Sequence, residues 1–249
     1  MLKGKKVLLT EEESQLQEIT RKIRSKGAQA LYLPMVNLKE IDELEDLYVA
    51  LNQFEIYDWL IFTSPNTVYF FFKLAEEKGV KFYFFPKLKI ATVGDKTKTA
   101  LEQIGFRTNF VPIKEDPLVL ARDMDLNIEG KYVLIPKSLK DNNEFFNAFQ
   151  TRKAITHSIP IYDKVEISYP SNQFIQYLQT DIDYIVFISE EAVKSFAANF
   201  HNSKYKLQNK KLIYLNTTLA NLADKLKLRV DSIANPQTFD GLVEQLNRI

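Results

Sequence analysis

A chain that aligns with itself at half its own length is constrained to fold as two copies of one domain, and this 249-residue sequence does so. GKKVLLT (Gly4 to Thr10) matches GKYVLIP (Gly130 to Pro136). The same offset carries QALYLPMVNLKEI (Gln29 to Ile41) onto ITHSIPIYDKVEI (Ile155 to Ile167) without a gap. At a slightly shorter offset DWLIFTSPNTVYFF matches DYIVFISEEAVKSF, keeping Asp58 with Asp183, Phe62 with Phe187, Ser64 with Ser189 and Val68 with Val193. Further on, KIATVGDKTKTALEQIGFR matches KLIYLNTTLANLADKLKLR. The repeat is far longer than a solenoid period, so it marks a duplicated domain.

Inside each copy the pattern alternates. Short β-branched and aromatic runs (VLLT, ALYLP, WLIFTS, KIATV) are each followed by a capping residue and a stretch with helical spacing. Thr10 to Glu13 reads as a T-x-x-E capping box, Ser138 to Asp141 has the related S-x-x-D spacing, and Ser64-Pro65 is an N-cap before a first-turn proline. Gly27 and Gly105 suit helix exits that need a left-handed residue. Strand–helix–strand order predicts parallel sheets covered on both faces, with ligands beyond the carboxyl ends of the strands.

Two extended segments modify a simple cut into halves. ALYLPMVNLKEI and THSIPIYDKVEI are long for strands, and each carries a central proline. Read as crossovers lying side by side, they give a first domain of residues 1–34 and 168–249. The second domain is then 42–160, a circularly permuted relative, with 35–41 and 161–167 as the crossovers. The expected fold class is α/β: two related open parallel-sheet, flavodoxin-like domains joined by two extended crossover strands. A polar ligand cleft is expected where the helix-starting loops of the two domains face each other.

Composition excludes several chemistries. There is no cysteine, hence no disulfide, thiolate ligand or cysteine nucleophile, and two histidines are too few for a histidine metal cluster. A formal charge of +1 gives no global reason to bind nucleic acid or membrane, and no apolar run reaches the ~18 residues of a membrane span. MLKGKKVLLTEEE lacks the apolar core of a signal peptide, so a cytoplasmic protein is expected, with a monomer as the default.

The succession DWLIFTSPNTVYFF, KIATVGDKTKTALEQIGF, IPIYDKV and NPQTFDGLVEQL resembles the uroporphyrinogen-III synthase family over essentially the whole chain. The family pattern is F-T-S before a helix, V-G-x-x-T with a following Ala-Leu and Gly, a tyrosine in the inter-domain segment, and a closing T-x-x-G/A-L-V. The resemblance implies an enzyme that cyclises hydroxymethylbilane with inversion of ring D and loss of water, without cofactor or metal. It implies a polyanionic tetrapyrrole substrate and leaves open a transient contact with porphobilinogen deaminase, the source of that substrate. A cleft lined by helix N-termini suits carboxylates, because unpaired N–H groups and the positive dipole end attract them.

The resemblance marks Tyr162 as the catalytic candidate, a donor to the departing hydroxyl. Its repeat partner is Val36, so the duplication itself does not demand a tyrosine. Substrate-binding candidates are Thr63, Ser64 and Asn66 at one strand-to-helix turn and Gly94, Lys96 and Thr97 at the next. Lys137 and Ser138 follow a third strand, and Ser189 and Thr218 open the matching helices of the first domain. Ser64 is first of all a helix cap, and a lone lysine is usually a solvated charge. Lys96, Lys98, Lys137 and Lys140 at one mouth weigh more together than singly.

The chain also departs from the family pattern. Glu11, Glu12 and Glu13 stand where an arginine is usual, Glu190 and Glu191 follow VFIS, and Asn216 and Leu219 replace the repeat's glycine and threonine. These acids make the first domain a poorer surface for a polyanion. Two alternatives follow: a synthase homologue with weakened activity, and a non-enzymatic two-lobed small-molecule binding protein.

Overall fold

The computed structural model describes residues 2–13, 16–82, 85–124, 127–141 and 143–249. The chain divides into two compact units: unit 1 comprises Met1–Asn37 with Val165–Ile249, and unit 2 is Leu38–Lys164.

Unit 1 is built on β1 (Lys6–Leu9), β2 (Gln29–Tyr32), β8 (Tyr184–Phe187), β9 (Lys211–Tyr214) and β10 (Ser232–Ile233), in the order β10-β9-β8-β1-β2. Taken in chain order within the unit, this is the 2-1-3-4-5 arrangement of flavodoxin-like sheets. All four pairings are parallel. Alternation along each strand feeds two faces. Val7, Leu9, Tyr184 and Val186 pack with α1 (Gln17–Ser25) and α10 (Phe239–Arg248). Leu8, Ile185 and Phe187 pack with α7 (Ser171–Gln179), α8 (Glu190–Ser203) and α9 (Thr217–Lys225). A sheet covered on both sides reads as continuous apolar runs, as VLL and YIVF do.

Unit 2 repeats the plan with its chain order permuted. Its sheet contains β3 (Val36–Glu40), β4 (Trp59–Phe62), β5 (Lys89–Thr92), β6 (Tyr132–Ser138) and β7 (Ile155–Glu166), in the order β3-β7-β6-β4-β5, with the first two residues of β3 and the last two of β7 falling within unit 1. A single parallel bridge from Ala91 to Phe110 stands where unit 1 has β10. One face carries α2 (Glu45–Asn52), α3 (Pro65–Glu77) and α4 (Gly94–Gln103). The other carries α5 (Pro117–Asp123) and α6 (Glu144–Thr151). Of the two extended segments, the first is interrupted: Leu33–Met35 separates β2 of one sheet from β3 of the other, whereas β7 runs unbroken for twelve residues.

The repeat extends to single hydrogen bonds. Asp183, just before β8, accepts from Lys5 Nζ at 2.6 Å and from the Lys6 N–H at 2.9 Å. Asp58, just before β4, accepts from Lys131 Nζ at 3.1 Å and from the Tyr132 N–H at 3.0 Å. Each aspartate thereby ties the start of its own strand to the start of its neighbour. The exits from α1 and α6 also match: Gly27 has φ +77° and its counterpart Lys153 has φ +60°. Gly4 and Gly130 donate to the carbonyls of those two residues at 2.9 and 3.0 Å.

Local signals were overruled at two strand ends. The expected Thr10–Glu13 capping box does not form, because the Thr10 hydroxyl donates to the Val186 carbonyl at 2.9 Å and α1 starts only at Gln17. Ser138 is likewise no N-cap: it ends β6 and its N–H donates to Asp141 Oδ2 at 3.1 Å, while α6 starts at Glu144.

The aspartate tie predicts a pH-dependent stability. Burial pushes the Asp183 carboxyl up, but Lys5 and the Lys6 N–H outweigh it and hold the group below its ordinary 3.8. A carboxyl depressed on folding stabilises fully above its unfolded pKa, and that contribution is lost as pH falls through the folded value. Asp183→Asn is expected to cost about 1–2 kcal/mol at neutral pH. In denaturant titrations against pH, the gap to the parent should stay constant above about pH 5 and close in stronger acid. A gap that persists unchanged at low pH would show that charge has no part in the tie.

Candidate functional site

In unit 2 the candidates fall at the carboxyl ends of adjacent parallel strands. β4 pairs with β5 (Phe62 with Thr92) and with β6 (Leu60 with Leu134). Thr63, Val93 and Lys137 therefore lie at one level. This is the face on which doubly wound sheets bind ligands.

Ser64 closes the turn after β4 as a full capping box. Its Oγ accepts from the Thr67 N–H at 3.2 Å, and its own N–H donates to Thr67 Oγ1 at 3.1 Å, with Pro65 in the first turn. Thr63 and Asn66 are half-buried beside it. Thr67, which the sequence did not single out, holds this turn in shape.

The turn after β5 is solved differently. Gly94 has φ +79°, and neither it nor Val93 supplies a side-chain cap to α4. The loop before α5 supplies one instead: Glu115 Oε1 accepts from the Asp95 N–H at 3.1 Å, and its carboxyl fills the hollow over Gly94. Thr97 is buried in the same turn and Lys96 is exposed. In unit 1 the equivalent residue, Asn216, caps α9 itself by accepting from the Leu219 N–H at 2.9 Å, and Leu219 joins the core. Gln237, the repeat partner of Glu115, still lies over that helix start and accepts from the Thr217 N–H at 3.3 Å. Thr218 is exposed in the first turn of α9.

Tyr162 is a core residue, 2% exposed, with its ring stacked on Phe70 at 4.9 Å between centroids and 6° between planes. A bulge brings it there. Lys137 pairs with Pro160 and Ser138 with Tyr162, so Ile161 is the extra residue of β7. A bulge breaks the alternation of faces, and Ile159, Ile161 and Tyr162 all enter one apolar cluster. Tyr162, expected on a crossover segment, thus lies near the carboxyl end of β7, between β3 and β6, with its ring in the core of unit 2. Its carbonyl accepts from the Leu139 N–H at 2.8 Å, and the hydroxyl of its strand partner Ser138 is buried without a hydrogen-bond partner among the described residues.

Of the four lysines grouped by the sequence, Lys137, Lys140 and Lys98 are engaged within the chain. Lys137 Nζ donates to the Asp141 carbonyl at 2.9 Å and to Asn143 Oδ1 at 2.8 Å. Lys140 donates to the Lys164 carbonyl and lies 3.7 Å from Asp163, and Lys98 pairs with Glu102 at 3.9 Å. Loop carbonyls without regular partners recruit ammonium groups from their own neighbourhood.

In unit 1, Ser189 caps α8 by accepting from the Ala192 N–H at 3.1 Å, and its hydroxyl donates to Glu11 Oε1. Glu11 is only 6% exposed. The closing T-x-x-G motif is structural: Thr238 Oγ1 accepts from the Gly241 N–H at 3.2 Å, and a side chain on Gly241 would overlap the Pro236 carbonyl oxygen.

A family model described as Uroporphyrinogen-III synthase HemD matches residues 17–244. The chain belongs to the uroporphyrinogen-III synthase family. It is 26% identical over 248 residues to the porphyrin biosynthesis protein HemD of Ruminiclostridium josui, covering 99% of this chain but 49% of that protein. It is 23% identical to a uroporphyrinogen-III synthase of Synechococcus elongatus, covering 96% of this chain and 93% of that one. Among solved structures, uroporphyrinogen-III synthetase from Helicobacter pylori superposes with a TM-score of 0.62 at 14% identity, covering 98% of this chain and 99% of the other. A mutant synthase from Thermus thermophilus gives 0.56 at 11%, covering 98% of each chain. These likenesses support the two-domain α/β fold.

Gly94 offers a direct test of the turn in front of α4. A β-carbon there would lie 2.7 Å from Glu115 Cδ, on a backbone that L-residues resist. Gly94→Ala is expected to lose about 1–2 kcal/mol from the left-handed conformation alone, plus the contact with Glu115. The double variant Gly94→Ala, Glu115→Ala should recover only the contact part. Full recovery in thermal melts would show that backbone strain is not what selects glycine.

Proposed function

We propose that this chain is a uroporphyrinogen-III synthase, a cyclising lyase that converts hydroxymethylbilane to uroporphyrinogen III with inversion of ring D and release of water. The observation that carries this reading is the family match, which runs from α1 through α10 and so takes in both units.

The chemistry asks for two things. Loss of water breaks the bond between the hydroxymethyl carbon and its oxygen, and hydroxide leaves poorly unless a donor supplies a proton. Tyr162 is our candidate donor. Its stacked ring fixes the direction of the hydroxyl, and a fixed donor costs little reorganisation during reaction. The substrate's acetate and propionate groups ask for N–H donors more than for mobile charge. In unit 2 the turns at Thr63–Asn66 and Gly94–Thr97 supply helix N-termini, which favour carboxylates by ~0.3–1 kcal/mol each when exposed. Lys137 serves this reading by shaping the Ser138–Asn143 loop rather than as a free cation. Lys96 remains a substrate-binding candidate, as do Ser138, Ser189 and Thr218.

The test is an assay coupled to porphobilinogen deaminase, which supplies the labile linear substrate, reading the ratio of III to I isomers. The type III isomer should dominate with this protein and the type I isomer without it. Equal ratios would overturn the assignment. Tyr162→Phe keeps the stacking surface, so it should fold and melt as the parent does while turnover falls tenfold or more, within the ~10²–10⁴ that one positioned donor contributes. Unchanged turnover would remove Tyr162 from the mechanism.

A further inference from the structure

The carboxyl ends of β1 and β8 in unit 1 form the crevice at which the strand order of the sheet reverses, the usual ligand position in such sheets. A side chain of the protein lies in it. Glu11 lies two residues beyond β1, is 6% exposed, and accepts a hydrogen bond from Ser189, the N-cap of the fourteen-residue α8. The strand end that carries Glu11 is fixed from both sides. The Thr10 hydroxyl donates to the Val186 carbonyl of β8 at 2.9 Å, and the Thr10 carbonyl accepts from the Met35 N–H at 2.8 Å. A carboxylate this deeply buried needs compensating donors, and a capping hydroxyl at the positive end of a long helix is such a donor.

The other unit shows what the crevice looks like without it. The repeat partner of Glu11 is Lys137, which turns away to Asp141 and Asn143. The partner of Ser189 is Ser64, whose hydroxyl is engaged by Thr67 of its own helix. At this position unit 2 thus carries a lysine in place of the acid, and its carboxylate at a helix start, Glu115, lies over α4 instead of α3. A second anion entering the crevice of unit 1 would meet Glu11 together with Glu190 and Glu191 of the first turn of α8, where Lys194 is held by Glu190 at 3.6 Å.

We infer that Glu11 occupies, from within the chain, the carboxylate subsite of unit 1, so that substrate carboxylates are held by unit 2. The consequence for substrate rests on the function proposed above; the occupancy of the subsite by a carboxylate does not. Glu11 is thus a residue that determines which unit receives the anionic groups.

Removing the side chain should leave a cavity shaped for a small carboxylate. The full-length Glu11→Ala variant is expected to melt about 4 °C or more below the parent. Sodium acetate near 100 mM should restore at least half of that loss, whereas sodium chloride at equal ionic strength and neutral acetamide should restore none. The parent should show no acetate-specific shift. Should Glu11→Ala fail to fold, Glu11→Gln fills the space without the charge, and it should melt below the parent and ignore acetate. The inference is overturned if either variant melts with the parent. It is equally overturned if chloride or acetamide recovers Glu11→Ala as well as acetate does, or if acetate shifts the parent by the same amount. The melts use no tetrapyrrole, so they and the isomer assay can fail separately.

Discussion

Everything at the strand ends depends on register, and register here is held by one carboxylate per unit. In a sheet, a slip of one residue sends every side chain to the opposite face. Asp58 and Asp183 each bind the first N–H and the adjacent ammonium of the neighbouring strand, so β4 is fixed against β6 and β8 against β1. These strand pairs flank the crevice of each unit. With the starts aligned, the ends are aligned as well, which is why Thr63 and Lys137, or Glu11 and Ser189, come to one level. Little of the alternation between apolar clusters would survive a shift, because Leu60 and Phe62 face one layer of helices while Trp59 and Ile61 face the other.

On this common frame the two copies treat helix N-termini in different ways. α3 caps itself with Ser64 and Thr67, and α9 caps itself with Asn216. α4 has glycine at its start and takes Glu115 from a neighbouring loop, while α8 has its own Ser189 with Glu11 set against it. The rule behind all four is that buried N–H groups and hydroxyls find acceptors. What differs is how far along the chain the acceptor comes from. An acceptor three residues away is part of the helix, whereas Glu115 reaches α4 from a separate loop.

That difference also explains how much could be read from the sequence. The duplication, the alternation, Ser64-Pro65, Gly27 and Gly105 are local patterns, and local physics decides them. Gly27 and Gly105 do adopt positive φ, and Ser64 does cap α3. The Thr10 capping box was wrong because the Val186 carbonyl, 176 residues away in sequence, offered the hydroxyl a better partner. Lys153 and Lys227 hide the same left-handed exits that glycine advertises, adopting φ +60° and +57° against a local cost of about 1–2 kcal/mol that no residue type announces. Strict alternation would set Tyr162 opposite Ile161, and nothing in IPIYDKV announces the bulge that puts both in one cluster. Two of the lysines were unreadable for a similar reason: Lys137 and Lys140 each donate to a backbone carbonyl, which every residue has and no motif marks.

Duplication gives a fold two equivalent crevices, and a single asymmetric substrate does not require both to bind the same kind of group. One copy can then lose its ligand contacts provided the crevice is not left with unpaired donors, which would cost stability. A glutamate placed just beyond β1 meets that condition: it replaces a ligand carboxylate with one that never dissociates. The acids that seemed to weaken the family resemblance, Glu11 foremost, are thus intelligible as part of the architecture of unit 1. Unit 2 keeps a glycine turn whose acceptor, Glu115, is exposed. The division of labour follows from where each copy finds its carboxylate.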